Sequence, residues 1–226
     1  MRALAIATLL WMVEPSGGTA TEPAGAPGGR SAPVLSAQGP GAAAPAAPLL
    51  LTDETERLLA AGEIVLLDRL PPGATPDAQG GTAVALIRAP VEKVWSILVD
   101  YSGHHRFYPR LVGAEVLAAS ERHALVRYTA AIGPLSFTFH MDKYRDPVQR
   151  RIEWQLAPGR PNSLFLENSG YWLADGRDGA SLVTYGLAVR TVLPAFLTRA
   201  AERDSLAETI TGLRRLAEPP HGSGAR

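Results

Sequence analysis

Between residues 111 and 191 the chain alternates between apolar and polar side chains in a way that is typical of a sheet with one buried face. In residues 135–145, Leu135, Phe137, Phe139 and Met141 fall on one side of a strand and polar side chains on the other. Such alternation predicts a half-buried strand. Similar β-prone runs, separated by turn-forming residues, occupy residues 63–70, 82–89, 111–119, 124–132, 151–157, 164–174 and 181–191. We therefore predict a long antiparallel sheet.

Two amphipathic helices and one short helix, residues 53–61, accompany this sheet in the sequence. The first amphipathic helix follows Pro90, with Val91, Val94, Trp95 and Leu98 at the i, i+3, i+4 and i+7 positions of one face. The second begins at Pro194 and ends before Pro219; its apolar stripe comprises Phe196, Leu197, Ala200, Leu206, Ala207, Ile210, Leu213 and Ala217.

One long helix is too narrow to cover the apolar face of a six- or seven-stranded sheet. The remainder of that face must contact either residues 90–109 or a ligand. The order of strand, Pro-started helix and aromatic loop in residues 83–109 predicts a lid over a cavity. The fold class is therefore α+β.

The first 48 residues lack the pattern of a folded domain. Arg2, the apolar run of residues 3–13, and the small residues Gly18 and Ala20 have the layout of a secretory signal cleaved after Ala20. The apolar run is shorter than the roughly 20 residues that a membrane-spanning helix needs, so a retained anchor is the weaker alternative. Residues 21–48 are rich in Ala, Gly and Pro and predict a disordered linker. The domain is expected at residues 49–218, and residues 219–226 as a disordered tail.

Composition excludes several classes of site. The chain has 22 basic and 22 acidic side chains, so its formal net charge of zero provides no field that attracts nucleic acid. It has no cysteine, which excludes thiol catalysis, disulfides and thiolate-ligated metals. None of its five histidines has the spacing of a two-histidine metal site, and no nucleophile-elbow, phosphate-loop or dinucleotide motif is present. We predict no metal, no cofactor and no catalytic residue.

The polar residues that alternation directs inward are few. Tyr128 and Tyr185 share the inner parity of their strands, and Lys143 is interpreted as a peripheral lysine near a strand end. His140 alternates with Asp142 onto the polar face, which predicts a solvated pair. Two tyrosines suffice to orient one polar end of a lipid, but they are few for general acid–base catalysis.

The order of several motifs resembles that of a known superfamily. These motifs are AxALIxAPxExVWxxLxDY…FYPxL at 83–111, GxW at 170–172, LVTY at 182–185 and LRRLAE at 213–218. In this order they resemble the START-like (SRPBCC) superfamily, and within it secreted relatives of the polyketide cyclase and coenzyme Q-binding group. The resemblance implies a helix-grip fold, with a curved antiparallel sheet wrapped around a long C-terminal helix, two short helices near the entrance and a deep apolar cavity.

The expected function is to bind, shield or carry a hydrophobic small molecule, such as a lipid, an isoprenoid or a quinone-like compound, in the periplasm or outside the cell. The alternatives are a cofactor-free cyclase or dehydratase of a polyketide-like substrate, and a groove for a partner's apolar segment. Transient membrane contact is also considered, and the oligomeric state is not indicated. The predicted ligand-binding residues are Trp95, Leu98, Tyr101, Phe107, Tyr108, Tyr128, Phe137, Phe139, Met141, Trp154, Trp172, Tyr185, Leu187, Phe196 and Ala200.

Overall fold

An eight-stranded antiparallel sheet and one long helix form the body of the protein. The computed structural model describes residues 51–192 and 195–219, and within α3 it describes side chains from residue 204 onward. The proposed signal, the whole of the proposed linker and most of the tail lie outside these residues. The strands are β1 (Ile64–Leu67), β2 (Gln79–Ile87), β3 (Leu111–Ala119), β4 (His123–Ile132), β5 (Leu135–Asp146), β6 (Arg151–Leu156), β7 (Phe165–Arg177) and β8 (Ala180–Thr191).

The strand order is β1-β2-β8-β7-β6-β5-β4-β3. From β3 to β8 each strand pairs with its sequence neighbour, while β2 pairs with β8, which joins the first part of the domain to the last. The helices are α1 (Asp53–Ala60), α2 (Val91–Val99), the 3₁₀ helix Tyr101–Arg106 and α3 (Ala195–Ala217). The predicted helix-grip arrangement is confirmed.

The main core lies between the inner face of the sheet and α3. Leu206, Ile210 and Leu213 of α3 are fully or almost fully buried, at the spacing that the apolar stripe predicted. Gly212 allows α3 to approach the backbone of Phe107, because a Cβ at residue 212 would lie 2.5 Å from the Phe107 carbonyl oxygen. The helix is thus held against the aromatic loop as well as the sheet.

A second, smaller core lies on the outer face of β2 and β8. It contains Leu59 of α1, Val84 and Leu182. The prediction of a sheet that is apolar on one side holds for β5 and β6 but not here. The short helix α1 packs on this face at Leu182, and the Tyr171 ring lies against Gly186. Both parities of β8 are buried from Ser181 to Val189.

The segment predicted as a lid is largely part of the core. Val94 and Leu98 of α2 are fully buried, and α2 packs against α3, β7 and β8. Asp100 caps the 3₁₀ helix, since its carboxylate accepts from Gly103 N and also pairs with Arg106. The two short helices therefore fill one end of the grip, and only the residues that follow them reach the cavity.

Candidate functional site

A cavity of about 720 Å³ lies between the sheet and α3. This is within the size range of small-molecule sites. Its wall is formed mainly by aromatic and aliphatic side chains, with a few polar groups among them. The wall residues are Tyr108, Pro109, Arg110, Leu111, Tyr128, Ala130, Ala131, Ile132, Gly133, Phe139, Met141, Lys143, Trp154, Leu164, Phe165, Asn168, Tyr185, Leu187, Val189, Thr191 and Ser205.

The two ends of the cavity differ in exposure. Arg110, Ile132 and Gly133 are exposed and mark the mouth, where β4 ends and β3 and β5 begin. Lys143 and Trp154 are buried and lie opposite each other in the register of β5 and β6, farther from the mouth. The cavity therefore opens between the strand ends and extends toward Lys143.

Lys143 is the cationic group of the buried end. Its side chain is 3% exposed, and its Nζ lies 4.4 Å from the centre of the Trp154 ring and 5.4 Å from that of Tyr128. Among the described residues no carboxylate forms an ion pair with it. Burial lowers the pKa of Lys143 to about 7, because the low-polarity surroundings disfavour the charged amine.

A chain of hydrogen bonds fixes Tyr128. His104 is fully buried, and its Nε2 lies 2.9 Å from the Leu98 carbonyl oxygen. A carbonyl only accepts, so Nε2 carries the proton and Nδ1 is the acceptor. Tyr128 Oη therefore donates to Nδ1 over 2.8 Å. Burial and, to a smaller degree, the Lys143 charge hold the pKa of His104 well below its usual value, which keeps the ring neutral.

An aromatic cluster supports the wall on the β8 side. The Tyr185 ring stacks on Trp172 at 4.1 Å between centres, and Trp172 Nε1 donates to Tyr108 Oη over 2.7 Å. Burial raises the pKa of both the Tyr108 and Tyr185 hydroxyls, so both are neutral donors and acceptors at physiological pH.

Trp154 is positioned by a glycine and an amide. A Cβ at Gly170 would lie 2.4 Å from Trp154 Cζ2, so only glycine leaves room for the indole there. Trp154 Nε1 donates to Asn168 Oδ1 over 3.2 Å. The indole face is thereby presented to both the cavity and Lys143.

Seven of the predicted ligand-binding residues lie on the cavity wall. They share the inner parity of β4, β5, β6 and β8 or follow the 3₁₀ helix, and they are Tyr108, Tyr128, Phe139, Met141, Trp154, Tyr185 and Leu187. Strand alternation is sufficient to place the strand residues among them. Their contact with a ligand stays a prediction.

Six others are not wall residues, and five of these six pack into or against the core. Leu98, Tyr101 and Phe107 are buried in the core, and Trp172 lies behind Tyr185. Trp95 and Phe137 are half-buried, Trp95 against the core. The side chains of Phe196 and Ala200 lie outside the described residues.

Three polar residues differ from their sequence interpretation. Lys143 is not peripheral, because β5 continues to Asp146 and keeps the lysine on its inner face. His140 is not solvated, because its Nδ1 donates to the Pro161 carbonyl oxygen over 3.0 Å and the side chain is buried. Asp142 contacts His123 instead. No sequence pattern predicts the burial of His104, because a short 3₁₀ helix shows no usable periodicity.

Metal and membrane motifs are absent from the described part of the chain. There, no group of three or more His, Cys, Asp and Glu side chains is arranged to hold a metal ion. Nor does any helix in these ranges have the length and apolar character needed to cross a membrane.

Solved structures of several bacterial proteins share this fold. A STAR-related lipid transfer protein from Xanthomonas axonopodis is 15% identical, with a TM-score of 0.54, over 69% of this chain and 93% of that one. A protein of Thermus thermophilus is 18% identical, with a TM-score of 0.53, over 60% and 94% of the two chains. A START superfamily protein from Mycobacterium smegmatis is 17% identical, with a TM-score of 0.51, over 60% and 94%. At these identities the similarity concerns the fold.

Sequence comparison identifies the family. No curated protein matches the sequence significantly. The family model described as polyketide cyclase / dehydrase and lipid transport matches residues 87–214, from the end of β2 to the last turns of α3. This match covers more than half of the 226 residues and includes nearly all of the cavity wall. The chain is therefore a member of the polyketide cyclase / dehydrase and lipid transport family, with the START-like fold.

Proposed function

We propose that this protein binds and shields or carries a hydrophobic small molecule, such as a lipid, an isoprenoid or a quinone-like compound. The observation that supports this function is the 720 Å³ cavity with its aromatic and aliphatic wall. The transfer of apolar ligand surface from water to an apolar wall makes the free energy of binding more favourable. The tyrosine hydroxyls and the one lysine of the wall can pair with a single polar end of the ligand.

The expected affinity follows from the area that such a ligand buries. About 400 Å² of apolar surface at about 25 cal/mol per Å² provides roughly 10 kcal/mol. Immobilisation costs at least about 4 kcal/mol, which leaves at most about 6 kcal/mol and therefore a dissociation constant of tens of micromolar or weaker. Binding of this strength permits transfer of the ligand to another acceptor.

The direct test is to purify the full chain from its native host, extract it with organic solvent and identify the released compound by mass spectrometry. We expect one apolar compound class that is enriched over a mock purification. A variant with a filled cavity, Ala130→Phe, should release less of it while its melting temperature stays similar. Equal extracts from both proteins would contradict the proposal.

A second candidate function is a cofactor-free cyclase or dehydratase. The observation that favours it is the amine of Lys143 beside Tyr128, because a neutral amine can accept a proton from a bound substrate. If chemistry is the function, Lys143→Met should lower the turnover of a polyketide-like substrate by about a hundredfold or more. Turnover that is unchanged by this substitution would exclude the lysine as the base.

We also propose that the protein acts outside the cytoplasm, in the periplasm or as a secreted protein. Support comes from residues 1–48, where a signal-like apolar run is followed by an Ala/Gly/Pro-rich stretch. Expression of the full chain in a Gram-negative host, followed by fractionation and N-terminal sequencing, should give a mature protein that begins close to Thr21. A full-length product in the cytoplasm would contradict this location, and a full-length product in the membrane would indicate a retained anchor.

A further inference from the structure

The chain contains only two lysines, and their environments are opposite. Lys93 is exposed on α2, while Lys143 is only 3% exposed, with its amine at the cavity wall. A buried cation is costly unless an opposite charge or hydrogen-bond acceptors compensate it. The rings of Trp154 and Tyr128 offer only partial compensation, through their electron-rich faces.

The groups that share the cavity wall with Lys143 do not supply a counter-charge. Tyr128 of β4, Tyr108 after the 3₁₀ helix and Tyr185 of β8 all have raised pKa values and are neutral at physiological pH. His104 is also neutral and supplies no negative charge to Lys143. From α3 the described wall residue is Ser205, and from β6 it is Trp154. The ammonium form of Lys143 therefore lacks a charged partner among the described side chains of the wall.

We propose that the ligand of this cavity is a hydrophobic acid, an apolar molecule with one carboxylate that pairs with Lys143 Nζ. This inference rests on the proposed binding function and specifies its ligand class. The carboxylate supplies the missing negative charge, and the apolar body occupies the remaining wall. A buried ion pair that is well surrounded discriminates strongly against ligands without the charge.

The order of residues along β5 sets the orientation of such a ligand. Phe139, Met141 and Lys143 line the cavity in a row, and successive members are two residues apart. Two strand residues span about 6.6 Å, so the backbone of Lys143 lies roughly 13 Å along the strand from that of Phe139. The Lys143 amine extends to 5.4 Å from the centre of the Tyr128 ring. The mouth lies at the other end of this row, beside Ile132 and Gly133. The ligand therefore enters with its carboxylate first, and its apolar tail points toward the mouth.

Binding of an acid should depend on pH in a defined direction. The pKa of Lys143 in the free protein is about 7, so the lysine is charged below this pH and neutral above it. The carboxylate pairs with the charged form, and above this pH binding requires the uptake of one proton. Affinity should be constant between about pH 6 and 6.5 and should then fall, approaching about tenfold per pH unit above pH 7.

The test compares decanoate with decan-1-ol, which share an apolar chain and differ in charge. Isothermal titration of the full chain at about pH 6 should give a dissociation constant for decanoate at least about tenfold lower than that for decan-1-ol. In Lys143→Met this preference should disappear, and the pH dependence with it. Lys93→Met removes the exposed lysine and should leave both unchanged.

Folding of the variants is checked by thermal melting, with Lys143→Gln as a second neutral replacement. Both Lys143 variants should melt at or above the wild-type temperature at about pH 6, because a buried charge has been removed. They should also keep their affinity for decan-1-ol within a few fold, which shows that the cavity is intact.

Three results would overturn the proposal. Equal affinity of the wild type for decanoate and decan-1-ol would refute the acid ligand class but leave the binding cavity established. An acid preference that persists in Lys143→Met would place the carboxylate elsewhere, for example at Arg110. Failure of both compounds to bind the folded wild type would refute the proposed binding function itself, and this inference with it.

Discussion

His104 and Tyr128 form a buried polar contact between two parts of the fold. Both side chains are buried, and two hydrogen bonds run in series, from Tyr128 Oη to His104 Nδ1 and from His104 Nε2 to the Leu98 carbonyl oxygen. The pair connects α2 and the 3₁₀ helix to the middle of β4. One wall of the cavity is thus fixed by residues that are 24 positions apart in the sequence.

Replacement of Tyr128 by Phe should destabilise the fold. The substitution leaves His104 Nδ1 as a buried acceptor without a donor, which costs about 1–3 kcal/mol. Urea unfolding of Tyr128→Phe measures this loss, and Tyr144→Phe, on the outer face of β5, is the matched control with a smaller expected change. Stability equal to that of the wild type would mean that the hydrogen bond does not contribute. Ligand affinity should fall by no more than about 0.5–1.5 kcal/mol, as expected for one hydrogen bond.

Lys143 should make stability depend on pH. Its pKa is lowered from 10.5 to about 7 in the folded protein, so between these values the unfolded chain binds a proton that the folded chain does not. The free energy of unfolding should therefore rise as the pH increases from about 7 to about 10, by up to several kcal/mol. Denaturant titrations of the wild type and Lys143→Met across this range measure the difference. Parallel curves for the two proteins would show that the lysine titrates normally.

The inner parity of the strands could be predicted from the sequence, and with it most of the aromatic wall. Phe139, Met141 and Tyr185 were placed by the two-residue period alone. The same period puts Lys143 inside, but a charged residue close to a strand end was interpreted as peripheral. His104 lies in a six-residue 3₁₀ helix, where burial follows from tertiary packing and no periodic signal exists.

Among the elements, the strand ends at the mouth carry an unusual number of exposed apolar side chains. Leu135 is 59% exposed at the start of β5, and Ile132 lies beside it at the end of β4. Leu166 at the start of β7 and Val192 directly after β8 are also exposed at the same end of the sheet. We propose that this rim makes the transient membrane contact through which an apolar ligand enters.

The rim predicts a kinetic effect. A double variant, Ile132→Asp with Leu135→Asp, should slow the transfer of a fluorescent fatty acid from phosphatidylcholine vesicles several-fold, because a charged rim resists contact with the acyl region. Equilibrium affinity for decan-1-ol should change little. Val148→Asp is the control, since Val148 is 84% exposed at the opposite end of the sheet. A similar slowing by both variants would argue against the rim as the contact surface.

Local sequence signals predict where the elements begin and end, but they do not predict which elements pack against each other. Predicted strands 111–119 and 181–191 match β3 and β8 closely, because turn residues and alternation mark them clearly. The small outer core on Leu59, Val84 and Leu182 was not predicted. Its burial depends on where α1 docks, and a short amphipathic segment does not encode that position. The same limit applies to α2. The prediction of its apolar face is correct, but its predicted role as a lid is wrong, because α2 packs into the core.

At the scale of the whole molecule, the fold combines a wide sheet with a single covering helix. Eight strands curve around α3, and α2 with the 3₁₀ helix fills one end. The side chains that the structure describes do not fill the other end, and the cavity occupies that space. The mismatch in width between helix and sheet was evident from the sequence. Family membership agrees with the presence of a cavity, because the description of the family includes both cyclases and lipid transport.

The central claim is that the cavity takes an apolar ligand, and Trp154 on its wall is the natural probe. Titration of the full chain with decan-1-ol, followed by tryptophan fluorescence, should give saturable one-site binding with a dissociation constant of tens of micromolar or weaker. The response should be absent for butan-1-ol and strongly reduced in Ala130→Phe, whose melting should remain close to that of the wild type. If no long apolar ligand changes the fluorescence of the folded protein, or if Ala130→Phe binds as tightly as the wild type, the cavity is not a ligand site.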